Sequence, residues 1–119
     1  MFDWDRYLLL AERLAQRQGE ASKRIAISRA YYCVFHRARR LLEHDGSRIS
    51  ADGWAHEEVW DLMETGDVER CMVARWGRTL RKLRRKADYV DYVPDMAQVT
   101  ENAMMPTREA MRVLGRGCQ

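Results

Sequence analysis

From about Glu20 to His44 the chain runs without a proline or a glycine, and its apolar residues cover more of a helical circumference than a surface helix needs. Ala21, Ile25, Tyr32 and Phe35 form one stripe. Ile27, Tyr31, Val34, Ala38, Leu41 and Leu42 widen it. A helix apolar over so broad an arc is buried on two sides, one facing the domain core and the other suited to a partner subunit. Whatever the fold, it has to surround this segment. Asp45-Gly46-Ser47 supplies the stop.

The rest of the chain also reads as helix, since only two prolines occur and no sustained alternating pattern appears. A first helix is predicted from about Asp3 to Gln18, with Trp4, Tyr7, Leu8, Ala11, Leu14 and Ala15 on its apolar stripe and Gly19 at its end. A polar loop over 45–53 leads to a short third helix, about Trp54 to Thr65, with Trp54, Val59, Leu62 and Met63 facing inward. Gly66-Asp67 separates it from a fourth helix, about Val68 to Tyr89, whose apolar stripe includes Met72, Trp76, Leu80, Leu83, Ala87 and Val90. Pro94 precedes a last helix from about Asp95, which Pro106 kinks or restarts. The pattern predicts an all-α fold, an antiparallel bundle of four to five helices, as one domain over residues 1–119.

Apolar residues make up 46% of the chain and charged residues 33%, which fits a folded globular domain. No apolar run reaches the roughly 20 residues a membrane span requires. The opening Met-Phe-Asp-Trp-Asp does not read as a secretory signal, and Cys33, Cys71 and Cys118 share no metal-type spacing. A cytoplasmic protein with reduced thiols and no membrane contact is expected. No cofactor or metal is called for: there is no glycine-rich phosphate loop, and His56-Glu57-Glu58 lacks the second histidine of a zincin helix.

The net charge is only +3, but the cations are gathered. Arg75, Arg78, Arg81, Lys82, Arg84, Arg85 and Lys86 fall within twelve residues that contain no acid. Arg78, Arg81, Lys82 and Arg85 share a helical face at i, i+3, i+4 and i+7, the footprint of a nucleic-acid-binding surface. A solvated face balanced by Glu57, Glu58, Asp61 and Glu64 on a neighbouring helix fits the same pattern. Arg84, Asp88 and Tyr89 fit a local structural cluster.

Ile27-Ser28-Arg29-Ala30-Tyr31-Tyr32-Cys33-Val34-Phe35-His36-Arg37-Ala38-Arg39 resembles the second-helix signature of small prokaryotic HEPN-domain proteins. Ala55-His56-Glu57-Glu58-Val59-Trp60 is similar to that group's His-x-x-Val segment, and Leu80 to Tyr89 to its Leu-x-x-Leu-Arg-x-x-Ala-Asp-Tyr segment. Phe2-Asp3-Trp4 and Ala110-Met111-Arg112-Val113-Leu114 fall where such proteins begin and end. The resemblance implies a helical bundle that forms a homodimer. It also implies either a metal-independent endoribonuclease or RNA-binding module of a toxin or defence system, or a non-catalytic dimerising adaptor or helical partner of a nucleotidyltransferase. Active members carry an arginine, four to six residues, then a histidine, and the two copies meet at the dimer interface.

Arg29 and His36 satisfy that spacing and lie two turns apart on one helical strip, which Cys33 and Arg40 extend. They are the candidate catalytic pair. His36 would be the acid or base and Arg29 the phosphate ligand, in an attack of the RNA 2′-hydroxyl on the adjacent phosphate. Arg37 with His44 and Arg39 with His44 satisfy the spacing too. With 18 arginines in 119 residues, about one such match arises by accident. The structural reading of the same residues is an arginine paired with a buried acid and a histidine capping a polar strip between helices. Tyr31, Tyr32 and His56 read as packing and hydrogen-bonding residues.

Overall fold

Four other helices enclose the long glycine-free segment. In the computed structural model, which describes residues 1–117, the chain forms α1 (Asp5–Ala15), α2 (Glu20–His44), α3 (Ala55–Glu64), α4 (Val68–Tyr89) and α5 (Met96–Gly117). α2 packs against all of the others, and α3 lies mainly on α4. Ala26, Ile27, Ala30, Tyr31, Cys33, Val34, Phe35, Ala38, Leu41 and Leu42 of α2 are buried within this single chain. The broad apolar arc is therefore filled by the protein's own helices and does not itself require a second subunit. Cys118 lies outside the described residues.

Cross-helix contacts fix the directions. Asp5 pairs with Arg37, and the Phe2 carbonyl accepts from Arg40 at 2.8 Å, so α1 runs antiparallel to α2. Arg24 near the start of α2 meets the end of α4, while Arg70 near the start of α4 pairs with Asp45 beyond the end of α2. These two helices are antiparallel as well. Cys33 Sγ meets Met111 at 3.4 Å and Arg37 reaches the Leu114 carbonyl at 3.5 Å, so α5 runs parallel to α2. Asp61 pairs with Arg78 and Glu57 with Arg81, so α3 is antiparallel to α4 and shares the direction of α2 and α5, while α1 and α4 run the other way.

The helix ends follow local chemistry. After α2, Gly46 (φ 100°) sends its N–H to the Glu43 carbonyl (3.0 Å), and Ser47 sends its own to Leu42 (2.9 Å). This is a Schellman stop, which needs left-handed backbone at the glycine. Asp67 caps α4 by accepting from the Arg70 N–H at 2.9 Å. Arg24 closes the other end of α4, donating to the carbonyls of Ala87 (2.8 Å), Val90 (2.7 Å) and Asp91 (3.0 Å). α1 is shorter than predicted. Asp3 Oδ1 accepts from the Asp5 N–H at 3.0 Å, and Lys23 Nζ takes up the Ala15 carbonyl at 2.9 Å. Gly19, in extended backbone, begins α2 rather than ending α1. α5 passes through Pro106 as one helix, flanked by Thr107, which donates to the Ala103 carbonyl at 2.7 Å.

Several predicted inward positions fall at helix ends that no neighbour covers. Ile25, Met72 and Val90 are exposed, and so is Trp54, at 66%. The core centres on Ile27, Tyr31, Met63 and Leu80, all predicted apolar positions, together with Trp60, Met104 and Leu114. Where α3 meets α4, the Trp60 ring lies over Gly77. A Cβ at position 77 would stand 2.5 Å from that ring. Gly77→Ala is expected to destabilise the protein by about 1–3 kcal/mol through overpacking, despite the roughly 1 kcal/mol that alanine gains in helix propensity. Urea unfolding measures the difference. A variant as stable as the parent would show that α3 moves aside freely.

Candidate nucleic-acid interface

The strip that carries Arg29 and His36 is the seat of α1. Cys33, between them, is fully buried, with Leu8 packed into the same core, and burial pushes its thiol up to about 12. The Arg29 guanidinium lies over the Tyr7 ring, 5.2 Å from its centroid. His36 stacks flat against Trp4, with ring centroids 3.6 Å apart and planes within 9°. Phe2 and Tyr7 close around Trp4 edge-on at 4.7 and 5.2 Å. Each member of the candidate catalytic pair is thus covered by its own α1-side aromatic. They share a helical strip but not a cavity.

His36 does reach solvent, in other company. It lines a cavity of about 590 Å³ with Met1, Trp4, Arg39, Arg40, Glu43 and His44. Arg39 is held by Glu43 at 3.4 Å and by the Ser50 carbonyl at 3.3 Å. Burial, with the Arg39, His56 and Arg40 charges added, lowers the His36 pKa to about 4, so its imidazole is neutral at pH 7.

His56 belongs to an internal hydrogen-bond chain. Trp60 Nε1 donates to the Tyr31 hydroxyl (3.3 Å), which leaves the hydroxyl proton for His56 Nδ1 (2.6 Å). That arrangement fits a neutral imidazole, and burial together with Arg81 and Arg84 lowers its pKa to about 4. Tyr31 itself is pushed up to about 12 by burial. Arg84, only 9% exposed, is clustered with Tyr32 (5.4 Å), Tyr31 (5.6 Å) and Tyr89 (6.0 Å) and meets Asp88 at 3.5 Å. It is a structural cation, and the local cluster read from the sequence forms.

The remaining cations of the basic run border a groove between α3 and α4. Arg78, Arg81, Lys82 and Arg85 line a cavity of about 340 Å³ with Glu57, Asp61 and the edge of Trp60. The structure thus gathers all four predicted RNA-binding residues. They are not equivalent. Arg78 is bound by Asp61 (2.7 Å) and Glu64 (2.9 Å), and Arg81 lies 3.9 Å from Glu57. Glu58, the fourth acid expected to balance the run, instead holds Ser50 through its N–H (2.8 Å) and hydroxyl (2.6 Å). Among the described residues Lys82 and Arg85 have no carboxylate within ion-pair distance. Sequence reasoning missed this division and the Trp4–His36 stack. The signal for the stack was Phe2-Asp3-Trp4, two aromatics ahead of the first helix.

Among the described residues no helix is long and apolar enough to cross a membrane. Comparison with known protein families, with curated proteins and with solved structures gave no match.

Both lowered imidazoles set a pH dependence. Their folded values lie near 4, below the ordinary 6.5, so as the pH falls the unfolded chain takes up protons first. The stability they contribute is complete above about 6.5 and is lost progressively toward about 4. The urea midpoint is expected to fall between pH 7 and pH 5, above most carboxylate titration. His36→Phe, which keeps a ring against Trp4, should flatten the slope. A midpoint independent of pH over that range would contradict the assignment.

Proposed function

We propose that this chain is a HEPN-type helical bundle that binds RNA through the α3–α4 groove, with Arg78, Arg81, Lys82 and Arg85 meeting the phosphates. One observation carries the reading: two cations, Lys82 and Arg85, stand free beside a recess whose other cations are held in place by α3 carboxylates. Prepositioned guanidinium groups with adjacent unneutralised charge suit a chain of phosphates, since binding releases the counterions that surround a nucleic acid. The choice of RNA rests on the HEPN resemblance. Fluorescence anisotropy with a single-stranded oligoribonucleotide tests it. Affinity is expected to fall steeply with salt, and the double variant Lys82→Ala/Arg85→Ala should reduce the slope of log K against log salt by about 1.4. Arg78→Ala, which removes a charge already neutralised, should change it less. Equal slopes in all three proteins would rule the groove out.

A second reading, metal-independent cleavage, is favoured by a different observation: His36 and His44 border one cavity with Arg39 and Arg40. There a neutral His36 would take the proton of an RNA 2′-hydroxyl as its oxygen attacks the neighbouring phosphorus. The bond to the 5′-oxygen breaks, and the products are a 2′,3′-cyclic phosphate and a 5′-hydroxyl that takes its proton from His44. Arg39 and Arg40 would offset the phosphorane charge. The phosphate role passes to them from Arg29 because they, not Arg29, line the cavity. A pKa near 4 makes His36 a weak base, so turnover would be slow. Incubation with RNA in EDTA tests this reading. Cleavage should fall at least about 100-fold in His36→Ala and be unaffected by chelation. Undiminished cleavage by His36→Ala would remove this site.

A further inference from the structure

We infer that Trp54 and Tyr89 form a base-stacking platform at one end of the α3–α4 groove, so that the RNA taken there is single-stranded, with an unstacked base lodged beside Arg85. This inference rests on the RNA-binding reading and names the kind of RNA the groove accepts.

The placement follows from the register of the two helices. Asp61 pairs with Arg78 and Glu57 with Arg81, so α3 and α4 run antiparallel and one further turn sets Trp54 level with Arg84 and Arg85. Arg84 is turned inward onto Tyr31 and Tyr32, which leaves Arg85 as the groove-side cation at that level. Trp54 has helical backbone (φ −76°, ψ −14°), so it continues the face that carries Glu57 and Asp61, the two α3 carboxylates lining the groove. On α4, Lys82, Arg85 and Tyr89 follow at i, i+3 and i+7 along one face.

Both rings are available. Trp54 is 66% exposed and Tyr89 74%. Among the described residues no other ring or cation stacks on Trp54, and Tyr89 has only the buried Arg84 near it, 6.0 Å from its centroid. Their backbones are anchored. The Trp54 N–H donates to Asp52 Oδ1 at 3.0 Å, its carbonyl accepts from the Glu58 N–H at 3.0 Å, and Arg24 holds the carbonyls that follow Tyr89. An indole exposed on a fixed backbone costs the protein apolar surface in water and contributes little to the core. Beside unpaired cations it matches the combination used for single strands, a positive track with aromatic faces that accept any base. The charge favours a polyanion over an apolar protein surface at this end. A duplex keeps its bases stacked inside and offers the rings nothing.

The test compares a short fluorescein-labelled oligouridylate with an abasic ribose-phosphate oligomer of the same length, at one salt concentration. Wild type is expected to bind the base-containing strand roughly tenfold or more tightly. Trp54→Ala should lose that preference while keeping the salt dependence. Trp54→Phe should retain most of the preference but lose the quenching of indole emission on binding. Because Trp54 is exposed, its variants should unfold at the wild-type urea midpoint. Equal affinity for the two oligomers in wild type, or a preference that survives Trp54→Ala, would overturn the platform and leave a groove that reads phosphates alone. Binding to neither oligomer would overturn the RNA reading itself.

Discussion

The enclosure of α2 is the constraint from which the rest of the structure follows. A helix apolar around most of its circumference has to be covered, and here α1, α3, α4 and α5 cover it. α5 runs parallel to it, while α1 and α4 run antiparallel. Covering α2 has a functional consequence. The polar residues along its edges, Arg24, Arg29, His36, Arg37 and Arg40, are drawn into holding neighbouring segments. Arg24 closes the end of α4, Arg37 and Arg40 secure the N-terminal segment, and Arg29 and His36 lie against Tyr7 and Trp4. Side chains that suit phosphate chemistry in isolation are mostly committed to assembly.

Electrostatic pairing then decides which cations remain for a ligand. Seven basic residues follow one another on α4 without an acid between them, and the five from Arg78 to Arg85 divide in three ways. Arg84 is buried among tyrosines, Arg78 and Arg81 are matched by the carboxylates of α3, and Lys82 and Arg85 are unmatched on the groove wall. The ion pairs also give the groove its register. Being exposed, they contribute little stability individually. Their larger effect is to orient guanidinium groups and set the level at which Trp54 stands.

Much of the architecture was legible in the amino-acid pattern, and the limits are physical. The bounds of α2 and α4 were readable because their stops are local: Asp45-Gly46-Ser47 makes a Schellman turn from its own backbone, and Asp67 caps α4 with its own side chain. The end of α1 was not, since it depends on Lys23 reaching back from another helix. The gathering of Arg78, Arg81, Lys82 and Arg85 was readable from helical spacing, as was the local pairing of Arg84 with Asp88. Helical spacing also placed Arg29 and His36 on one strip, but it carries no information about what lies on that strip. α1 does, and it divides them. The same blindness made Trp54 an inward residue, because periodicity cannot tell where a neighbouring helix stops.

On the proposed reading, α2 fixes the bundle's interior and RNA is bound on the outer α3–α4 face. Photocrosslinking with a 4-thiouridine-containing single strand, followed by peptide mapping, tests that claim most directly. Adducts are predicted within the peptides spanning Trp54–Asp61 and Arg78–Tyr89. Adducts confined to α1, α5 or the cavity beside Trp4 and His36 would contradict it.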